Sequence, residues 1–107
     1  MAKSFAPLLG VTALLCLPAL ADQDPTARGQ ALFTGEATPA CAICHTLAAA
    51  GTSGQIGPNL DELGPTADMV RNAVSRGVGV MPAYADALSS DDIEALVTFV
   101  TDATGGD

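Results

Sequence analysis

The stretch Cys41-Ala42-Ile43-Cys44-His45 decides the fold of this chain. Two thiols three positions apart lie about one helical turn from each other, and the only histidine of the 107 residues follows at once. A redox dithiol with this spacing calls for a strand-helix-strand setting, which the flanking sequence does not offer. A zinc site calls for four ligands, and only Cys41, Cys44 and His45 are evident. A disulfide across so short a loop would stabilise little. The remaining chemistry is covalent haem attachment: the two thiols add across the two vinyl groups of one haem to form thioethers, and the neighbouring imidazole then reaches the iron.

With His45 in one axial position and no second histidine, the natural opposite donor is a thioether. Met81 lies in Gly77-Val78-Gly79-Val80-Met81-Pro82, where glycines allow close backbone approach to a flat ligand and Pro82 stiffens the far side. Met69 lies instead on a helical stripe with Val70, Ala73 and Val74, a setting that reads as core filling. Met81 is therefore the expected second iron ligand.

Three helices carry their own punctuation. Asp24 as N-cap and Pro25 at the first helical position predict a helix running through Ala31, Leu32 and Phe33 to Gly35. Gly29 inside it marks either a close backbone approach or a plain weak spot. A second helix is predicted from Pro65-Thr66 to Gly77. A third opens at Ser89, with Asp92 three residues on, and presents Ile93, Leu96, Val97 and Val100 on one face. The stretches 48–58 and 77–82 show no strand alternation, so the fold class is all-α with long loops. Loops of that length need a reason to be ordered, and a large bound cofactor is one.

Residues 1–21 read as a secretory signal: Lys3, an apolar run from Phe5 to Leu17 broken by Pro7, then Pro18 and the small-x-small site Ala19-Leu20-Ala21. The apolar run is short for a membrane span. Cleavage after Ala21 removes Cys16 and leaves residues 22–107 as one domain. That portion holds 12 acidic residues, 3 arginines and no lysine, a formal charge of -9. Nucleic-acid binding is excluded, because phosphate contacts need clustered cations. Only 20 of its 86 residues are Leu, Ile, Val, Met, Phe or Tyr, so side chains alone make a marginal core.

Taken together, these residues resemble the class I c-type cytochromes, small exported carriers of one haem. Besides the Cys41–His45 motif, Gly57-Pro58-Asn59-Leu60 looks like the family's G-P-N-L segment and Met81-Pro82-Ala83-Tyr84 like its axial-methionine segment; the likeness covers nearly all of 26–102. The resemblance implies a small cytochrome c fold built around one haem c. It implies that the Pro58 carbonyl accepts the proximal imidazole N–H, and that the first and last helices cross with Gly29 and Phe33 against Leu96 and Phe99. Thr38-Pro39-Ala40 and the run Ile56–Asp61 are also similar to the small cytochrome subunits of bacterial sulfite dehydrogenases.

The expected function is periplasmic electron transfer by a His45/Met81-ligated haem, as a mobile carrier or as the electron-accepting subunit of a dehydrogenase. A filled coordination sphere passes electrons and leaves no site for a substrate, so no enzymatic activity is expected. The rival is a haem enzyme or gas sensor in which Met81 is displaced; it lacks a distal histidine. Tyr84 has equal claims as a core residue, a haem propionate contact or a redox group. The acids Asp61, Glu62, Asp86, Asp91, Asp92 and Glu94 read as a solvated surface or a docking face. Family members that dock through a lysine ring offer no template here. The expected partner is an exported dehydrogenase or a terminal oxidase presenting basic or apolar surface, with no membrane span in this chain after signal cleavage.

Overall fold

The computed structural model describes residues 24–107, with Gly10 alone before them; the secretory signal predicted over 1–21 lies outside the described residues apart from that glycine. Helix α1, Pro25–Ala31, starts where its cap chemistry directs, the Asp24 carboxylate accepting the Thr26 N–H at 3.2 Å. It runs without a break into a wider π-helical turn, Leu32–Glu36, closed by Ala37 N–H donating to the Leu32 carbonyl at 3.1 Å. That turn drives Leu32 and Phe33 into the core.

Helix α2 is a single turn, Leu60–Leu63, capped by the Asn59 side chain and stopped at left-handed Gly64. Helix α3, Ala67–Arg76, is capped by Thr66. Helix α4, Ser90–Thr104, is capped by Ser89, whose hydroxyl accepts the Asp92 N–H at 3.1 Å. The predicted Ile93, Leu96, Val97 and Val100 face is buried, widened by Ala95 and Phe99. Between the Cys41–His45 segment and α2 lies a small hairpin absent from the sequence reading. Strand β1, Thr46–Leu47, pairs antiparallel with β2, Thr52–Ser53, around a 3₁₀ turn at Ala48–Ala50.

Helices α1 and α4 cross at Gly29. A Cβ on that residue would overlap the Ala95 carbonyl and lie 2.5 Å from Phe99 Cβ, so the close-approach reading holds and the absent side chain sets the helix separation. Beside the crossing, Phe33 and Phe99 meet edge to face with ring centroids 5.8 Å apart. Phe99 thus meets both Gly29 and Phe33 as expected, and the backbone nearest Gly29 is that of Ala95, one position before Leu96. Arg28 fastens the same pair of helices by a two-pronged contact to Asp92 at 3.0 and 3.1 Å, and also reaches Glu36. Among the described residues, no helix is long and apolar enough to cross a membrane.

Candidate functional site

The first half of the site is a tight coil. Cys41–Ile43 form a 3₁₀ turn, and both Cys44 N–H and His45 N–H donate to the Cys41 carbonyl, at 3.1 and 3.0 Å. Both thiols and the imidazole therefore lie on one turn of backbone. The following loop folds back over it: Gly57 N–H donates to the Cys44 carbonyl at 2.7 Å and the Thr52 hydroxyl to the His45 carbonyl at 2.9 Å. Gly54 lies so close that a Cβ there would be 2.6–2.7 Å from backbone atoms of Ile43, Cys44 and His45.

This wrapping orients the imidazole. His45 Nδ1 sits 2.8 Å from the Pro58 carbonyl oxygen, which can only accept, so Nδ1 is the donor, and in the neutral imidazole Nε2 keeps the lone pair. That is the tautomer a metal-binding imidazole needs. Gly57 makes room for the ring, since a Cβ there would fall 2.6 Å from His45 Cε1.

The second half is the Met81 turn. Val78 and Met81 exchange backbone hydrogen bonds at 3.1 and 2.9 Å around Gly79 and Val80, and Gly79 alone has positive φ (57°), the signs of a type II′ turn. Gly77 admits the returning chain: its φ is 75°, and a Cβ there would lie 2.6 Å from the Met81 carbonyl oxygen. Just past Met81, buried Tyr84 pins the segment twice. Its N–H donates to the Val74 carbonyl at 2.8 Å and its hydroxyl to the Pro39 carbonyl at 2.6 Å. Of the roles open to Tyr84, the structure shows a buried residue bridging the two halves of the site.

Cys41, Cys44, His45, Pro58 and Met81 all line one cavity of about 740 Å³, walled mainly by apolar side chains such as Phe33, Leu60, Val70, Val74 and Leu96. Its size falls within the roughly 300–1,000 Å³ usual for cofactor pockets. Met69, expected in the core, is 47% exposed and lines the cavity as well; the helical stripe marks a cavity wall here. Burial pushes the Cys41 thiol up to about 11, opposite to the lowered value a redox dithiol needs. Cys41 and Cys44 are not bridged, and among the described residues no group of three or more His, Cys, Asp or Glu side chains is placed to hold a metal ion. Gly54 and the Tyr84–Pro39 bond went unforeseen in the sequence, because both act across long separations along the chain.

Residues 24–100 match the family model described as cytochrome c oxidase, cbb3-type, subunit III. The chain is 34% identical over 87 residues to cytochrome c6 of Cladophora glomerata, covering 76% of this chain and 91% of that protein. This chain belongs to the class I c-type cytochromes. The crystal structure of the c-type cytochrome SorU from Sinorhizobium meliloti is similar, with a TM-score of 0.73 and 44% identity over 78% of this chain and 94% of that one. The cytochrome is an electron-transfer protein of a family that carries covalently bound haem c. An apolar cavity, two adjoining thiols, one imidazole whose Nδ1 faces a carbonyl, and the thioethers of Met81 and Met69 fit that group.

Proposed function

We propose that this cytochrome carries one haem c in the 740 Å³ cavity, attached through Cys41 and Cys44, with His45 Nε2 and Met81 Sδ as axial donors and the Pro58 carbonyl as the acceptor that orients His45. The observation that carries the reading is the 2.8 Å contact from His45 Nδ1 to Pro58 O, which leaves the imidazole in its metal-binding tautomer at the wall of a cavity that Met81 also lines. Cys41 and Cys44 would hold the group by adding their S–H groups across its two vinyl C=C bonds, sulfur to one carbon and hydrogen to the other.

The bound iron supplies one-electron exchange between its ferric and ferrous states. The residues of the chain keep that exchange clean. His45 is held by its Pro58 contact and by the loop over it, Met81 by its type II′ turn and by Tyr84, so neither donor need rearrange when an electron arrives. The apolar walls limit access of water. With His45 and Met81 both donating, the iron would have no open position for a substrate, which favours an electron carrier over a haem enzyme or gas sensor.

Residues 1–21 act as a cleaved secretory signal in this reading, and residues 22–107 as a periplasmic monohaem domain. The absence of lysine and the charge of -9 in 22–107 favour a redox partner with basic or apolar surface. The sequence likeness to sulfite dehydrogenase subunits makes an exported dehydrogenase the first candidate and a terminal oxidase the second.

The test is the optical spectrum of the exported protein, oxidised and reduced, after extraction with acidified organic solvent. Haem retained through extraction, with a thioether-to-iron charge-transfer band in the oxidised form, is expected. Haem that extracts overturns the attachment. Carbon monoxide should bind the ferrous Met81→Ala variant far more readily than the wild type, and equal binding would overturn ligation by Met81.

A further inference from the structure

The charges around the cavity are lopsided. Eleven Asp and Glu residues are among those the structure describes, yet none of them lines it. The charged or titratable lining residues are Cys41, Cys44, His45, Tyr84 and Arg76. The first three are taken up by attachment and ligation, and the Tyr84 hydroxyl is committed to the Pro39 carbonyl. Arg76 has no such commitment. Arg28 is paired with Asp92 and Glu36, and Arg71 with Asp68 and Glu94, whereas Arg76 makes no ion pair with a described residue. One helical turn earlier Asn72 also lines the cavity, and its side chain has no hydrogen-bond partner among the described residues. Positions 72 and 76 are i and i+4 on α3, one above the other on the same face.

We infer that Arg76, with Asn72 beside it, receives a carboxylate of the bound cofactor. The inference rests on the haem c reading above. Haem is apolar across its ring and bears two propionates, so a cavity made for it needs apolar walls and, at one place, donors for an anion. A planar guanidinium suits a carboxylate, and an amide N–H adds a second donor. With every described Asp and Glu off the walls, an anion there escapes the like-charge repulsion it would otherwise meet in so acidic a chain. Arg76 also ends α3, where a cation suits the helix dipole. That role alone would affect stability and nothing at the iron.

The experiment compares haem-loaded wild type with Arg76→Gln, Arg76→Lys, Asn72→Ala and Arg71→Gln, the last removing the same charge from the same helix away from the cavity. Midpoint potentials are measured from about pH 4 to about pH 8, a range that takes in the titration of an unpaired carboxylate and its rise on burial. Arg76→Gln should leave an uncompensated propionate that favours ferric iron, moving the ferric-to-ferrous ratio at fixed ambient potential on the order of tenfold, about 59 mV. Its potential should also fall more steeply with pH than that of the wild type. Arg76→Lys should recover most of the shift, Asn72→Ala should show a smaller one, and Arg71→Gln should move little. If Arg76→Gln shifts the potential no further than Arg71→Gln, or changes only the thermal midpoint, Arg76 is a helix-end or surface cation and the inference fails. A wild type without extraction-resistant haem would fail earlier, in the optical spectrum, and would sink the haem c reading itself.

Discussion

His45 Nδ1 meets the Pro58 carbonyl at 2.8 Å because the residue between the covering loop and that proline, Gly57, has no side chain to push the imidazole aside. Gly57→Ala would put a methyl carbon 2.6 Å from His45 Cε1, closer than real contacts allow. The loop has little freedom to yield, since Gly57 N–H is bound to the Cys44 carbonyl and Gly54 lies on the backbone of the same turn. Gly57→Ala should destabilise the haem-loaded protein by about 1–3 kcal/mol, as overpacking does, and should perturb the oxidised spectrum. Denaturation followed at the haem absorbance checks both, and wild-type values in each would refute the packing account.

Gly29→Ala tests the other tight contact and should part from Gly57→Ala in its spectrum. The added Cβ would strike the Ala95 carbonyl and the Phe99 Cβ, forcing α1 away from α4. The cost should again be about 1–3 kcal/mol, with the thermal midpoint falling about 4–8 °C for each kcal/mol lost. Gly29 does not line the cavity, so the oxidised and reduced spectra should match the wild type.

Helix starts were legible because their signals are local. Asp24-Pro25, Thr66 and Ser89 bind N–H groups two or three residues away, and α1, α3 and α4 begin there. The same chemistry at Asn59 and Glu62 marks α2, but a single turn has no periodicity to call attention to it. Two-residue strands are likewise too short to show alternation. The stripe of Met69, Val70, Ala73 and Val74 predicted a buried face without telling core from cavity wall, since both are apolar. Cys41, Cys44, His45 and Met81, the residues proposed to hold the haem, drew attention by type and spacing, and the structure brings them to one cavity. What held them in place did not: Gly54 against the backbone of Cys44, or Tyr84 against Pro39, 45 residues away, exists only once the chain has folded.

Acid should weaken the crossing of the terminal helices. The hydrogen bond from Arg28 holds the Asp92 carboxyl below the usual carboxylate range, and Arg71 does the same for Glu94. A carboxyl whose folded value lies below its unfolded one contributes fully above the unfolded value, and the contribution is lost as pH falls through the folded value. Unfolding midpoints should therefore be flat near neutrality and decline once pH drops below about 4. Asp92→Asn should lower the midpoint at neutral pH and flatten the acid decline. Because both partners are partly exposed, added salt should reduce the difference between variant and wild type. Thermal melts across pH at two salt concentrations provide the check.

Tyr84 gives the sharpest test of how the two halves of the site hold together. Its hydroxyl donates to the Pro39 carbonyl at 2.6 Å, tying the segment after Met81 to the segment before Cys41, while its N–H anchors the same residue to Val74. Tyr84→Phe keeps the ring and the backbone bond and removes only the hydroxyl, leaving the Pro39 carbonyl without that donor. The loss should be about 1–2 kcal/mol. It should fall unevenly, because the broken tie lies beside the proposed Met81 ligand. The thioether-to-iron charge-transfer band should disappear at a lower denaturant concentration in the variant, with the midpoint of helix loss moving less. Coincident shifts of band and helix would mean that Tyr84 stabilises the whole fold without any particular hold on Met81.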